Sequence, residues 1–125
     1  MTVRDFYHLL FGEHDRADFE YRLGEHLSYN ESETRVLDRR TAAYMAYVYA
    51  TDVQHEAEEP SIEPALTIKD IYECSACIRY IAFVYLKGIM PAKDMVFGVR
   101  EAVNEEEASA IVSRVYDRSK RFRWA

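Results

Sequence analysis

Apolar residues recur at every third or fourth position along most of the chain, whereas the strict alternation typical of strands is nearly absent. Capping residues precede the apolar segments, with Thr2, Asp38 and Asn104 as the clearest examples. This pattern predicts an all-α fold of about five helices. The predicted helices cover residues 2–11, 16–27, 38–54, 70–87 and 105–121.

Two polar segments and one apolar segment fall outside the predicted helices. Residues 28–34 read SYNESET, which predicts a loop. Residues 55–66 contain glutamates and prolines, and we interpret them as an acidic linker because proline interrupts helices. Residues 95–99 are apolar but short, so we predict a packed loop there.

The linker separates two halves with similar patterns. Aligning Leu37 with Val103 places Asp38 on Asn104 and Ala42 on Ala108. We therefore predict one domain, residues 1–125, with two helix-loop-helix units at about 16–54 and 68–121 and an N-terminal helix that completes the core. The alternative is that any two capped amphipathic helices align this well.

Composition and charge narrow the possible partners. The chain has 125 residues, a net charge of −6 and 49% hydrophobic residues, which favours a folded core over disorder. Its acidity argues against nucleic acid, because phosphate binding requires a basic surface. No apolar run approaches the roughly 20 residues of a membrane span, and residues 1–16 do not read as an export signal. We expect a cytoplasmic protein, or a cell-wall protein if a signal peptide has been removed.

The sequence offers little catalytic chemistry. The chain's two cysteines, Cys74 and Cys77, could be a redox pair at a helix start or half of a zinc site. We instead expect reduced, buried side chains inside the helix predicted over 70–87. No nucleophile or phosphate-binding motif is present, so we predict no enzyme, no metal and no cofactor.

Two groups of residues are candidate partner-binding sites. Tyr44, Tyr47 and Tyr49 cannot all face one core from a single helix, so some are expected in a groove with Tyr80 or Tyr85. Ordinary core packing is the alternative.

The second group is the basic tail, residues 114–125, with Arg118, Arg121 and Trp124 as candidates for binding an acidic protein or a phosphate. The alternative is that these cations lie at a helix C-terminus and pair with the acidic linker.

The second half resembles a known family, the S-layer homology repeat. The resemblance rests on Asp70-Ile71, Gly88-Ile89, Phe97 and the run that begins Val103-Asn104-Glu105. It is clear over residues 68–116. It is fainter over 16–52, where the run Leu37-Asp38-Arg39-Arg40 is similar to the opening of the repeat's second helix.

The resemblance implies a non-catalytic helical module that usually occurs in threes and holds exported proteins on an acidic wall polymer. In that family an arginine at the start of the second helix is thought to meet the polymer. The arginine is kept as Arg39, next to Arg40, but is replaced by Glu105 in the second half. A carboxylate at that position would repel an anionic glycan.

Three functions are consistent with these features. The first is an intracellular, non-enzymatic protein-interaction module with S-layer-homology-like architecture. The second is a cell-wall polysaccharide-binding module of an exported protein. The third is a small acidic immunity or inhibitor protein whose charge steers it to a basic partner. A homodimer is a further possibility, because two units leave an incomplete repeat core.

Overall fold

The structure is a computed structural model that describes residues 1–12 and 15–122. The described residues contain six α-helices and no strand, which confirms the all-α prediction. The helices are α1 (Val3–Phe11), α2 (Arg16–Leu23), α3 (Tyr29–Ser32), α4 (Arg39–Val48), α5 (Ile78–Leu86) and α6 (Glu105–Tyr116). A π-helical turn, Tyr49–Val53, prolongs α4, and short 3₁₀ turns cover Glu63–Thr67, Ile71–Glu73, Ser75–Cys77 and Arg118–Lys120.

Local capping explains where three of the long helices begin. The Thr2 hydroxyl accepts the Asp5 N–H at 3.1 Å, and the Asp5 carboxylate accepts the Thr2 N–H in return. Asp38 and Asn104 each accept an N–H three residues later, at 2.9 and 2.8 Å. Each cap satisfies a helix N–H that has no intrahelical partner, so the helix starts predicted near these residues are confirmed.

Two predicted helix ends and one predicted loop differ from the structure. The helix expected to reach residue 27 ends at Leu23, and the helix expected to reach 121 ends at Tyr116. The predicted loop 28–34 contains α3, because the Ser28 hydroxyl caps a single helical turn by accepting the Glu31 N–H.

The helix predicted over 70–87 is wrong in its first half. Only Ile78–Leu86 is α-helical, and two 3₁₀ turns separated by an extended Cys74 precede it. Asp70 does not cap a helix, since its carboxylate accepts hydrogen bonds from the backbone of residues 97–99. A disulfide between Cys74 and Cys77 closes the second 3₁₀ turn.

A single hydrophobic cluster takes side chains from both halves of the chain. Helix α4 packs against α5, α1 and α6, so it lies at the centre of the core. Met45, Ile81 and Ile111, from α4, α5 and α6, are almost completely buried. The apolar faces predicted for these helices therefore close on one another.

The starts of α4 and α6 lie side by side. The Val103 N–H donates to the Leu37 carbonyl at 2.9 Å, and the Arg39 N–H donates to the Glu101 carbonyl at 2.9 Å. Leu37 and Val103, the residues aligned in the sequence, are both buried at this junction. Two duplicated units could meet in this way, and the duplication itself stays a prediction.

Candidate functional site

The predicted binding residues lie in three separate places. Arg40 and Tyr44 line a tyrosine cleft, which we define by all its lining residues: His26, Leu27, Arg35, Arg40, Thr41, Tyr44, Cys74, Ala76, Cys77 and Tyr80. Arg39 lines a different groove, together with residues of the 91–97 loop and α6. Arg118 and Arg121 contact Glu56. Trp124 lies outside the described residues.

The tyrosine cleft has a volume of about 180 Å³ and lies between the first turns of α4 and α5. Tyr44 and Tyr80 face each other from these helices, with ring centroids 4.8 Å apart. The His26 ring contacts Tyr44 edge-on at 5.0 Å, and its Nε2 lies 3.1 Å from the Tyr80 hydroxyl. The structure thus places Tyr44 and Tyr80 in one cleft, and Tyr85 is not among the residues described as lining it.

Tyr44 itself is mostly buried, and burial raises the pKa of its hydroxyl to about 12. The hydroxyl is therefore neutral at physiological pH and can donate a hydrogen bond. Tyr80 is only half-buried, so its ring presents a surface to a ligand.

Tyr47 borders the cleft from behind Tyr80, with ring centroids 5.0 Å apart, and does not line the cavity. Its hydroxyl donates to the Glu58 carboxylate, which also accepts two hydrogen bonds from Arg79, each at 2.6 Å. The Arg79 and Tyr47 hydrogen bonds lower the pKa of Glu58 to about 2. Tyr47 thus attaches the acidic linker to α4 through Glu58. Its ring also packs against the Tyr80 ring, which a ligand in the cleft would contact.

Two arginines give the cleft its charge. Arg40 donates from Nε to Asp38 at 3.2 Å, and Arg35 donates to the Thr41 hydroxyl at 3.4 Å. A guanidinium has five N–H donors, so each of these single contacts leaves donor capacity for a ligand. The residues described as lining the cleft include no aspartate or glutamate. The lining therefore carries two positive side chains, with Asp38 paired to Arg40 and Glu25 close enough to act electrostatically on Tyr44 and Tyr80.

The cysteines contradict the sequence prediction. Cys74 and Cys77 form a disulfide and do not lie as reduced thiols inside a buried helix. Both are half-buried, and both line the tyrosine cleft just before α5. The described residues contain no cluster of three or more potential metal ligands that could complete a zinc site around them.

Arg39 has a structural environment. Its Nε donates to the Phe97 carbonyl at 2.7 Å, and its Nη2 donates to the Pro91 carbonyl at 2.6 Å. Its Nη1 pairs with Glu107, and the guanidinium lies over the Phe97 ring at 4.6 Å. Burial lowers its pKa, and only 8% of the residue is exposed.

A groove of about 660 Å³ lies beside Arg39. It is lined by acidic as well as basic residues: Arg39, Lys93, Asp94, Glu101, Glu106, Glu107 and Arg114. Because Arg39 already has a partner at each guanidinium nitrogen, its contacts connect α4 to the 91–97 loop and to α6. This arrangement gives little support to Arg39 as the contact for an anionic wall polymer.

Two arginines of the basic tail, Arg118 and Arg121, contact Glu56 of the acidic linker, which is the alternative given for this group in the sequence analysis. Arg121 donates to both Glu56 carboxylate oxygens, at 2.7 and 2.8 Å, and to the Arg114 carbonyl at 2.8 Å. Arg118 lies 3.6 Å from the same carboxylate but keeps a largely exposed side chain. Arg121 therefore binds a carboxylate of this same chain. Its contact with Glu56 attaches the acidic linker, residues 55–66, to the segment that follows α6.

His26 and Arg35 line the cleft and are not among the site residues predicted from the sequence. His26 and Arg35 come from segments between helices, and the sequence carries no signal that places them beside α5. The sequence predicts a helix interior for the two cysteines, and that prediction is wrong. Their i, i+3 spacing together with Tyr80 three residues later could have suggested one shared face near a helix start.

Comparisons with protein-family models, curated proteins and solved structures find no match. The resemblance to S-layer homology repeats therefore stays a prediction. Among residues 1–12 and 15–122, no helix combines the length and apolar character needed to cross a bilayer.

Proposed function

We propose that this chain is a non-catalytic protein-interaction module of S-layer-homology-like architecture, and that its partner binds at the tyrosine cleft. One observation carries the proposal: half-buried Tyr80 and two arginines surround a cavity with no carboxylate in its lining. Tyrosine and arginine are the residue types that most often dominate binding energy at protein interfaces.

The size and charge of the cleft suggest what a partner would insert. A volume of about 180 Å³ accommodates one large side chain and excludes a folded element. The Tyr80 ring offers an apolar face, and Arg35 and Arg40 offer N–H donors to an anionic group. A partner segment with an aromatic residue next to an aspartate or glutamate fits both features.

The test compares capture of a partner by surface variants of the full chain. The tagged wild type is used to capture proteins from a lysate of the native host, and the captured protein is then purified for binding measurements. Arg40→Glu and Tyr80→Ala should each raise the dissociation constant at least tenfold, which is about 1.4 kcal/mol. Light scattering of the complex gives its stoichiometry and reveals a homodimer.

Arg100→Glu is the matched control, because Arg100 is exposed and does not line the cleft. Its charge reversal should leave the affinity unchanged. If all three variants bind as the wild type does, the partner uses another surface and the proposal is wrong. An acidic inhibitor of a basic partner would behave differently, since Arg40→Glu would leave its affinity unchanged or increase it.

A further inference from the structure

The Cys74–Cys77 disulfide closes a very short loop, with a sequence separation of 3 and 5.2 Å between the two Cα atoms. The stabilisation that a disulfide gives by restricting the unfolded chain grows with the logarithm of the number of residues in the loop it closes. A loop this short therefore adds little stability in that way. Both cysteines are also half-buried and in contact with the cleft, where a small reagent can reach them. Cross-linking alone does not account for this position.

The surroundings favour a thiolate at Cys77. Cys77 is the N-cap residue of α5, and its side chain makes no capping hydrogen bond in the disulfide form. After reduction, the sulfur would lie at the N-terminal, positive end of the helix dipole. Arg35 and Arg40 line the same cleft. A helix start and nearby cations are the environment in which cysteines exchange readily.

We propose that Cys74 and Cys77 form a redox-active pair that undergoes thiol–disulfide exchange with a dithiol reaching it through the tyrosine cleft. This proposal does not depend on the proposed protein partner. It concerns a stoichiometric exchange of two electrons between this chain and the dithiol.

The exchange has two steps that balance. A thiolate of the dithiol attacks Sγ of Cys74, the Cys74–Cys77 bond breaks, and its electron pair leaves on the Cys77 sulfur as a thiolate. The second thiol of the dithiol loses its proton and attacks the mixed disulfide, which releases Cys74. The dithiol becomes a disulfide, and the pair gains two electrons and takes up two protons when both thiolates protonate.

A redox titration of the full chain in native buffer tests the proposal. The protein is first oxidised with oxidised glutathione, then equilibrated at pH 7 with graded ratios of reduced to oxidised dithiothreitol. Free thiols are trapped with N-ethylmaleimide and counted by intact mass. The sequence contains two cysteines, so each N-ethylmaleimide group added to the chain reports a free thiol of this pair.

We expect both thiols to appear together without denaturant, with the helical circular dichroism unchanged. Three results would overturn the proposal. In the first, free thiols appear only when denaturant is added. In the second, they appear only when the helical circular dichroism is lost. In the third, the pair does not form a disulfide when the protein is treated with oxidised glutathione.

Single-cysteine variants test the direction of the exchange. Cys74→Ser leaves the Cys77 thiol, which should react several-fold faster with an anionic aromatic disulfide reagent at pH 7 than the Cys74 thiol left by Cys77→Ser. Adding Arg40→Gln to Cys74→Ser should slow this reaction, whereas adding Arg100→Gln should not. Equal rates for the two thiols would contradict the assignment of Cys77 as the leaving thiolate.

Discussion

The carboxylate of Asp70 organises the loop that precedes α6. It accepts the backbone N–H groups of Phe97, Gly98 and Val99 at 2.7, 2.8 and 3.1 Å. Burial alone would raise the pKa of Asp70, but these hydrogen bonds outweigh burial and hold the pKa below its ordinary value. The ionised carboxylate is therefore bound more favourably in the folded state than in the unfolded chain.

Replacing this carboxylate by an amide should destabilise the fold. We expect Asp70→Asn to lower the free energy of unfolding by about 1–3 kcal/mol at pH 7, because hydrogen bonds to a charged acceptor are lost. Since the folded-state pKa is depressed, the contribution is fully present above the unfolded value of about 3.9 and is lost as the pH falls through the folded value. Denaturant unfolding at pH 7 and at lower pH should show that the difference in free energy of unfolding between the wild type and Asp70→Asn becomes smaller as the pH falls.

Glu73→Gln is the control for this prediction, because Glu73 is an exposed carboxylate three residues away. It should unfold as the wild type does at pH 7. A variant Asp70→Asn with wild-type stability at pH 7 would show that the backbone bonds to this carboxylate contribute nothing measurable.

Asp70 and Arg39 also show that residue type and local spacing do not reveal all of a residue's contacts. An aspartate before an apolar run is typical of a helix cap, and an arginine at a helix start resembles the family's polymer contact. Each instead has partners more than 20 residues away, Phe97 for Asp70 and both Phe97 and Glu107 for Arg39. Residue type and local spacing carry no information about such distant partners.

At the scale of elements, the junction of α4 and α6 depends on two matched caps. Asn104 accepts the Glu107 N–H at 2.8 Å, and its helix begins with three glutamates that suit the positive end of the helix dipole. We expect Asn104→Ala to lower the free energy of unfolding by about 1 kcal/mol, because the Glu107 N–H at the helix start loses its side-chain acceptor. Thermal and denaturant unfolding followed by circular dichroism measure this change.

Asn104→Asp keeps an oxygen acceptor at the same position and should restore most of the lost stability. If Asn104→Ala unfolds as the wild type does, or if Asn104→Asp is equally destabilised, then the side-chain cap is not what stabilises the start of α6.

Elements were predictable where their causes are local. The starts of α1, α4 and α6 depend on a cap and an N–H three residues later, so the sequence contains the whole interaction. Residues 71–77 have a helical apolar pattern, but a disulfide and the distant loop at 97–99 determine their conformation. A pattern read in one window cannot contain those constraints.

The candidate site was partly predictable for the same reason. Arg40, Tyr44 and Tyr47 lie on one helix, and the spacing of Tyr44, Tyr47 and Tyr49 shows that they cannot all face one core, which predicts a groove with Tyr80 or Tyr85. The contributions of His26 and Arg35 depend on where loops return to the helices. The overall topology determines that placement, and helical periodicity does not record it.

At the scale of the whole molecule, Glu56 connects the middle of the chain to its end. Its side chain is only 4% exposed, and Arg121, which is 8% exposed, holds it through two hydrogen bonds. Lys87 and Arg118 also lie within 4.0 Å of its carboxylate. Burial would raise the pKa of Glu56, but the hydrogen bonds from Arg121 and the nearby cations lower it below its ordinary value.

Removing the second partner of this pair should cost less once the first has already been removed. We expect Glu56→Gln to lower the free energy of unfolding by about 3–5 kcal/mol, because Arg121 keeps a buried charge without its partner. The double variant with Arg121→Gln should lose less than the sum of the two single variants, and a double-mutant cycle by urea unfolding measures the difference.

The pH dependence separates this ion pair from simple packing. Because the folded pKa of Glu56 is depressed, its contribution is present above the unfolded value of about 4.3 and is lost as the pH falls through the folded value. Under acidic conditions the free energy of unfolding of the wild type should therefore approach that of Glu56→Gln. In the double-mutant cycle at pH 7, a loss in the double variant equal to the sum of the two single losses would contradict the coupling. A coupled result would mean that Glu56 and Arg121 stabilise the fold through their contact with each other, which attaches residues 55–66 to the segment that follows α6.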